Sequence, residues 1–279
     1  ETFALYYEEK RPFFMSGSDL VATPMYYSRT INNPLVAAKA YGKSKKLSYY
    51  VLSALDRNSI ITVPGEEESS TIRTELNSLA NISRIRYDMG RENHIGAMLF
   101  TRNFSDGGNS LGGLDWSFRF HEHWYFSGEL FLTGTRELND SVLYSSDRNF
   151  GSTGKDAGFN GEQYMGTGIH LGLSRTGTHY QFGIIQNNFS PTFQSYNGIY
   201  NSNNARYTRF TQVFRFYPEN KYLNRISIQT IGIINYNYDW QFKGASAAVN
   251  LIMTLIGQTN INIKATPVSL ERFHGKLFK

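Results

Sequence analysis

Hydrophobic positions recur with a period of two along most of the 279-residue chain, and helical spacing is hard to find over more than a few residues. Leu114, Trp116, Phe118 and Phe120 alternate with Asp115, Ser117, Arg119 and His121, and only a strand places two such sets on opposite faces. Phe126, Gly128, Leu130 and Leu132 alternate in the same way with Ser127 and Glu129, and Ala245 to Leu255 with Ser246, Asn250 and Thr254. The period predicts strands at about 25–31, 35–42, 46–56, 78–88, 92–103, 111–121, 123–136, 162–175, 178–188, 205–217, 221–238, 244–256 and 259–266, with a fourteenth starting near Val268. Tight turns, as at Gly42 to Lys45, Asp88 to Arg91 and Gly257-Gln258, alternate with longer polar loops. The loops lie at about 57–77, 104–110, 137–161, 189–204 and 239–243 and are rich in Gly, Asn, Ser, Asp and Glu.

Short connections on one side and long ones on the other, repeated down a meander, predict an all-β fold. It is an antiparallel, up-and-down transmembrane β-barrel of the kind found in the outer membrane of a Gram-negative bacterium. Several predicted strands exceed ten residues, and aromatic residues gather near strand ends, as in Tyr49-Tyr50, Trp124-Tyr125-Phe126 and Tyr236 to Trp240. The expected layout is an N-terminal segment, 1–24, in the lumen or at the periplasmic rim, then a barrel over 25–279 of about 13–14 strands, an incomplete part of a larger one.

Composition narrows this picture without changing it. Aromatic residues are 15% and charged residues 18% of the chain, which excludes disorder. Mean hydropathy of −0.41 leaves no room for a polytopic helical membrane protein but suits a barrel, in which only alternate residues face lipid. The longest uncharged window, Gly244 to Ile263, is interrupted by Asn250, Gly257, Gln258, Asn260 and Asn262 and is not a membrane helix. The net charge of +5 is diffuse, with Lys43, Lys45 and Lys46 as its densest basic run, so no nucleic-acid partner is expected. The absence of cysteine removes disulfides, thiolate zinc sites and cysteine nucleophiles together. Any signal peptide is expected upstream of Glu1.

Three short motifs invite chemistry and fail on spacing. Gly42-Lys43-Ser44 imitates a phosphate loop, but Ala37 stands where the first glycine belongs and a strand follows. His121-Glu122-His123 has no third ligand nearby in sequence, and Glu66-Glu67-Glu68 lacks the alternating ligands and central glycine of a calcium loop. No metal, no cofactor and no catalytic residue is expected. The most unusual stretch is Glu8-Glu9-Lys10-Arg11 before Pro12-Phe13-Phe14, too charged for a lipid-facing strand. It reads either as a segment tucked into the lumen or rim, its charges pairing with Arg29, Lys39, Arg84 or Arg86, or as an exposed linker. Asp115, Arg119 and Glu129 are expected to set the polarity of the interior, and a charged, filled interior argues against a wide-open pore.

The run Glu8-Glu9-Lys10-Arg11-Pro12-Phe13-Phe14-Met15-Ser16-Gly17-Ser18-Asp19-Leu20, followed by Tyr27-Ser28-Arg29-Thr30-Ile31, resembles the start of the barrel region in the family called domain of unknown function 5916. Ala38 to Lys43, Gly90-Arg91, Ile95 to Met98, Thr101-Arg102 and Gly113 to Asp115 are similar to later motifs of that family, so the resemblance covers about Glu8 to Phe120. Ser16 and Thr30 depart from the family pattern. The resemblance implies a large outer-membrane barrel that follows a carbohydrate-binding module of the family 9 type, and it carries over no catalytic motif. The expected function is therefore non-enzymatic: moving, admitting or anchoring something at the cell surface, with carbohydrate as ligand and outer-membrane lipid and other cell-envelope proteins as partners. The alternatives are a barrel-linked glycoside hydrolase, which needs two suitably separated carboxylates, and a structural subunit of an envelope complex that makes contact through Phe189 to Tyr200.

Overall fold

The computed structural model describes residues 7–200, 202–257 and 259–278. After a four-residue helix, α1 (Pro12–Met15), and two 3-10 turns, fifteen strands follow. They are β1 (Asn33–Ser44), β2 (Leu47–Arg57), β3 (Ile60–Val63), β4 (Ser70–Arg73), β5 (Ser78–Gly90), β6 (Asn93–Asn103), β7 (Gly108–His121), β8 (Trp124–Arg136), β9 (Gln163–Arg175), β10 (Tyr180–Phe189), β11 (Ala205–Phe216), β12 (Leu223–Tyr236), β13 (Phe242–Leu255), β14 (Asn260–Phe273) and β15 (Lys276–Phe278). Thirteen of them form one up-and-down antiparallel sheet in sequence order, with β3 and β4 set aside as a separate hairpin in the 58–77 connection. The sheet runs from β1 to β15 and is not closed.

Period two locates the sheet strands well from β1 onward, and three details differ. The strand expected at 25–31 is instead a 3-10 turn, Ser28–Thr30. Its backbone groups are taken by other partners: Tyr27 N–H donates to Asn197 O, and Arg11 Nη1 and Nη2 donate to Ile31 O and Ser28 O. The wall therefore begins at Asn33. The 104–110 loop shrinks to 104–107 because β7 starts at Gly108. Strands expected to break near Val268 are one strand, β14, since Pro267 falls where the β13–β14 register shifts between Ala247 and Val249 and the ladder resumes beyond it.

The chain divides into two compact units. The first comprises residues 1–116, 129–169 and 189–205. One face of its sheet is covered: the rows Lys39–Leu52–Ile82–Phe100, Tyr41–Tyr50–Arg84–Met98 and Ala37–Ala54–Ala80–Arg102 lie there. Phe14, Val21, Met25 and Ile31 of the N-terminal segment, Phe189 at the end of β10 and Phe193 of the 190–204 loop pack against this face. The other face is bare and apolar, with rows such as Gly42–Tyr49–Ile85–Ala97 and Ala40–Val51–Ser83–Leu99. Val51, Ile85 and Leu99 on it are about half exposed, at 47%, 49% and 54%. A second core lies among the long connections, where Ile61, Val63, Ile72, Phe104, Leu138, Phe150, Phe159 and Tyr196 bury one another.

The second unit comprises residues 117–128, 170–188 and 206–279. Its register again sorts residues by polarity. Phe214–Ile228–Leu251–Ile263 and Phe216–Ile226–Met253–Ile261 run across one face, and Val213–Gln229–Asn250–Lys264 and Arg215–Ser227–Ile252–Asn262 across the other. Aromatic contacts link its strands, including Trp124 with Phe182 at 5.9 Å, Phe182 with Phe210 at 5.6 Å and Tyr180 with Phe214 at 4.9 Å between ring centroids.

Phe100 is 1% exposed on the covered face of unit 1. Phe100→Ala is expected to destabilise the fold by about 3–5 kcal/mol, read as a lowered unfolding midpoint, because the cavity lies between two layers that cannot both collapse into it. Leu99→Ala, one residue along and facing outward, is expected to cost far less in the same assay.

Candidate functional site

The candidate site is the covered face of unit 1 together with the segment lying on it. That segment, residues 7–32, crosses the sheet and returns to begin β1. Pro12 opens α1, where its missing N–H is no loss. Gly17 has φ 72°, and a Cβ there would run into the Tyr41 ring, so only glycine lets the chain turn this close to β1. Lys39 on β1 reaches up to the turn: its Nζ donates to Phe13 O and, at 2.6 Å, to Ser16 O, and lies 4.8 Å from the Phe13 ring centroid.

The segment is held at its far end by a buried ion pair. Arg102 and Asp56 are both 0% exposed, with Nη1 and Oδ2 3.7 Å apart. Arg102 also donates to Thr30 O at 3.0 Å, to Thr30 Oγ1 at 3.3 Å and to Asn197 Oδ1 at 3.2 Å, while Asp56 accepts from the backbone N–H of Asn33 at 2.7 Å and of Asn32 at 3.2 Å. One guanidinium thus ties β2, β6, the N-terminal segment and the 190–204 loop together. The alanines in its row leave it room.

The predicted charges take different partners from those expected. Glu9 pairs within the segment: its carboxylate accepts from Arg11 Nε at 3.0 Å, Arg11 Nη2 at 2.8 Å and Ser28 Oγ at 2.5 Å. Burial raises the Glu9 carboxyl, but the Arg11 and Ser28 hydrogen bonds outweigh it and hold it down at about 2. Arg11 also lies 4.2 Å from the Phe14 ring centroid. Arg29 Nε donates to Glu8 O at 3.0 Å, so Arg29 and Lys39 hold backbone carbonyls rather than carboxylates. Lys10 is exposed. The reason is geometric: the segment turns its carbonyls toward the wall and its carboxylate back onto itself.

Asp115 and Arg84 form the second buried pair. Arg84 Nη2 donates to Asp115 Oδ2 at 2.7 Å, His94 Nε2 stands 3.3 Å from the same oxygen, and Arg84 Nη1 donates to Leu20 O at 3.3 Å. Asp115 Oδ1 has no hydrogen-bond partner, and it sits so close to Gly96 that a Cβ there would collide with it. Toward the tight turns the ladder continues with Arg86 Nη2 2.7 Å and Lys43 Nζ 3.6 Å from Asp88. Glu129 lies on the covered side of β8 by alternation with the buried Phe131, and Arg119, in unit 2, folds onto its own turn by donating to Glu122 O at 2.5 Å. The structure places Asp115 and Glu129 on the covered face of unit 1, while Arg119, on β7 in unit 2, bonds to the turn that follows it. Sequence reasoning missed Asp56, Arg102 and Asn197. The signal was available for two of them: Asp56 continues the alternation of Tyr50, Leu52 and Ala54, and Arg102 that of Met98 and Phe100.

A cap closes over the loop end of this unit. Phe189, Phe193 and Tyr196 are buried at 3%, 0% and 1%, and Tyr200 packs on Phe189 with centroids 4.3 Å apart, so the aromatic loop expected as an exposed contact surface is folded inward. Beneath it Glu137 accepts from Tyr164 Oη at 2.7 Å, and Gln194 Nε2 donates to the same Oη at 2.8 Å. Burial pushes the Glu137 carboxyl up to about 7 despite the Tyr164 hydrogen bond, with Glu162 and Asp156 adding repulsion. Among the described residues no group of three or more His, Cys, Asp or Glu side chains is arranged to hold a metal ion.

Compared with protein-family models and with curated proteins, the chain matches none.

Because Glu137 binds its proton more tightly when folded, its contribution to stability is full below its ordinary value of 4.5 and is lost as pH rises through about 7. Glu137→Gln is expected to flatten the fall in unfolding midpoint across that window, and an unchanged slope would refute the assignment. Glu9 works with the opposite sign: its stabilisation is present above 4.5 and is lost as pH falls toward about 2.

Proposed function

We propose that the chain is the wall and plug of an outer-membrane β-barrel that admits or anchors a solute at the cell surface without catalysing its conversion. One observation carries this reading: in unit 2 the sheet segregates apolar side chains to one face, and in unit 1 the face left bare is itself apolar, with Val51, Ile85 and Leu99 about half exposed, while the buried charges Arg84, Arg102, Asp56 and Asp115 lie on the face it covers. A water-soluble sheet of this size buries its apolar face against a second layer, whereas lipid accepts it bare. The polar row on the bare face satisfies itself, with Ser53 Oγ donating to Asn81 at 2.9 Å and Asn81 Nδ2 to Thr101 at 3.1 Å, as a lipid-facing wall requires. Strands of ten to fourteen residues in the sheet, β15 excepted, match the length a tilted membrane strand needs.

The N-terminal segment makes this a filled barrel rather than an open pore. Solute passage then needs the segment to move, and Arg102 is the contact to break. The family resemblance of Glu8 to Phe120 supports carbohydrate as the ligand class and a Gram-negative outer membrane as the location.

The test uses full-length protein extracted in detergent. It is expected to run as a heat-modifiable band and to conduct weakly in a planar bilayer, and Arg102→Ala is expected to raise conductance severalfold by freeing the segment. A protein that is soluble and not heat-modifiable refutes the membrane reading. Large, steady conductance from the unmodified protein refutes the plug.

A further inference from the structure

On the bare face of unit 1 a groove of about 580 Å³ opens where β6, β7, β8 and β9 meet their loop-side ends. Its lining includes Asn103, Ser110, Gly134, Arg136, Gln163 and Met165. Gly134 is the telling position. A Cβ built there meets nothing within 4 Å, so no neighbour demands glycine at this point of β8. What the missing side chain does is leave the wall dented between Leu132 and Arg136. Met165, at 65% exposure, gives the groove an apolar flank, and Leu132, at 51% exposure, stands two residues before Gly134 on the same strand. At its loop-side end Arg136 is exposed and has no acidic partner among the described residues, and Asn103, Ser110 and Gln163 offer hydrogen-bonding groups beside it. A trough with an apolar flank that runs into a guanidinium at the end of a membrane-length strand is complementary to a molecule with a hydrocarbon chain and an anionic head.

Resting on the membrane reading, we propose that this groove is a binding site for a single anionic, phosphate-bearing lipid. One acyl chain lies over Gly134 between Leu132 and Met165, and the phosphate is held by Arg136 with Asn103, Ser110 and Gln163. Bulk lipid contacts a barrel everywhere; this site retains one molecule in a fixed place.

The test is native mass spectrometry on the full-length, delipidated protein in detergent, titrated with phosphatidylglycerol or with phosphatidylcholine. One phosphatidylglycerol is expected to be retained about tenfold more tightly than phosphatidylcholine, because the choline ammonium offsets the phosphate charge that faces Arg136. Gly134→Phe fills the trough from a position where a Cβ meets no neighbour, and Arg136→Gln removes the cation; each is expected to reduce phosphatidylglycerol retention to the phosphatidylcholine level while the heat-modifiable band persists. Equal retention of the two lipids by the unmodified protein, or undiminished phosphatidylglycerol retention by Gly134→Phe, overturns the site. Loss of heat modifiability in the unmodified protein overturns the membrane reading instead, so the two failures are separable.

Discussion

A guanidinium with no access to water must find its partners inside the protein, and Arg102 imposes that requirement on four parts of the chain at once. Asp56 supplies the charge, Thr30 two oxygens and Asn197 a third acceptor. Losing any one leaves a buried cation short of a partner, which costs far more than the surface equivalent of the same bond. The alanine row that makes space for Arg102, the turn at Ser28–Thr30 and the inward fold of the 190–204 loop all follow from satisfying it. The N-terminal segment is consequently a structural part of unit 1. Asp56 also fixes where the wall starts, since it caps the backbone of Asn32 and Asn33 as β1 begins.

The second organising fact is that both faces of the unit 1 sheet carry apolar side chains and only one of them is covered. In unit 1 the protein spends its apolar N-terminal and loop side chains, Phe14, Met25, Phe189 and Phe193, on the face that also holds its buried charges. It leaves Val51, Ile85 and Leu99 without a covering layer. The Lys39 and Arg84 contacts to carbonyls of the segment show how the covered face tolerates its charges: each is answered by backbone or carboxylate oxygen, so the layer is held by polar contacts as well as by packing.

Much of this was legible in the sequence because period two is a local signal. Leu114 to His121 announced both the strand β7 and which of its residues face which way, and the buried Asp115 lies on the side that alternation assigned it. Turn positions were equally local, as at Gly257, whose φ of 90° is the conformation a tight hairpin there demands. What could not be read were contacts between residues far apart in the chain. The stretch 25–31 has strand-like composition, yet its hydrogen bonds go to Arg11 and Asn197, and no local rule reveals that. The partners of Glu9, Arg29 and Lys39 escaped for the same reason: charge alone does not say whether a cation will meet a carboxylate or a carbonyl. The loop aromatics were assigned to solvent because loops are usually polar surfaces, whereas here Phe189 and Phe193 join the core on the sheet and Tyr196 the core among the long connections.

The Thr30 hydroxyl lies within hydrogen-bond distance of the carbonyl of Asn197, 167 residues further along the chain. During synthesis the N-terminal segment emerges ten strands ahead of Asn197, so its lock is completed only after β1 to β10 have been made. Contacts of such sequence separation slow folding, since loop closure must be achieved before they contribute anything. In the interval Phe14, Met25 and Ile31 lack their final covering, and the segment is exposed to whatever handles the nascent chain. The arrangement thus separates formation of the sheet from covering of its face, giving the assembly an inherent order in time.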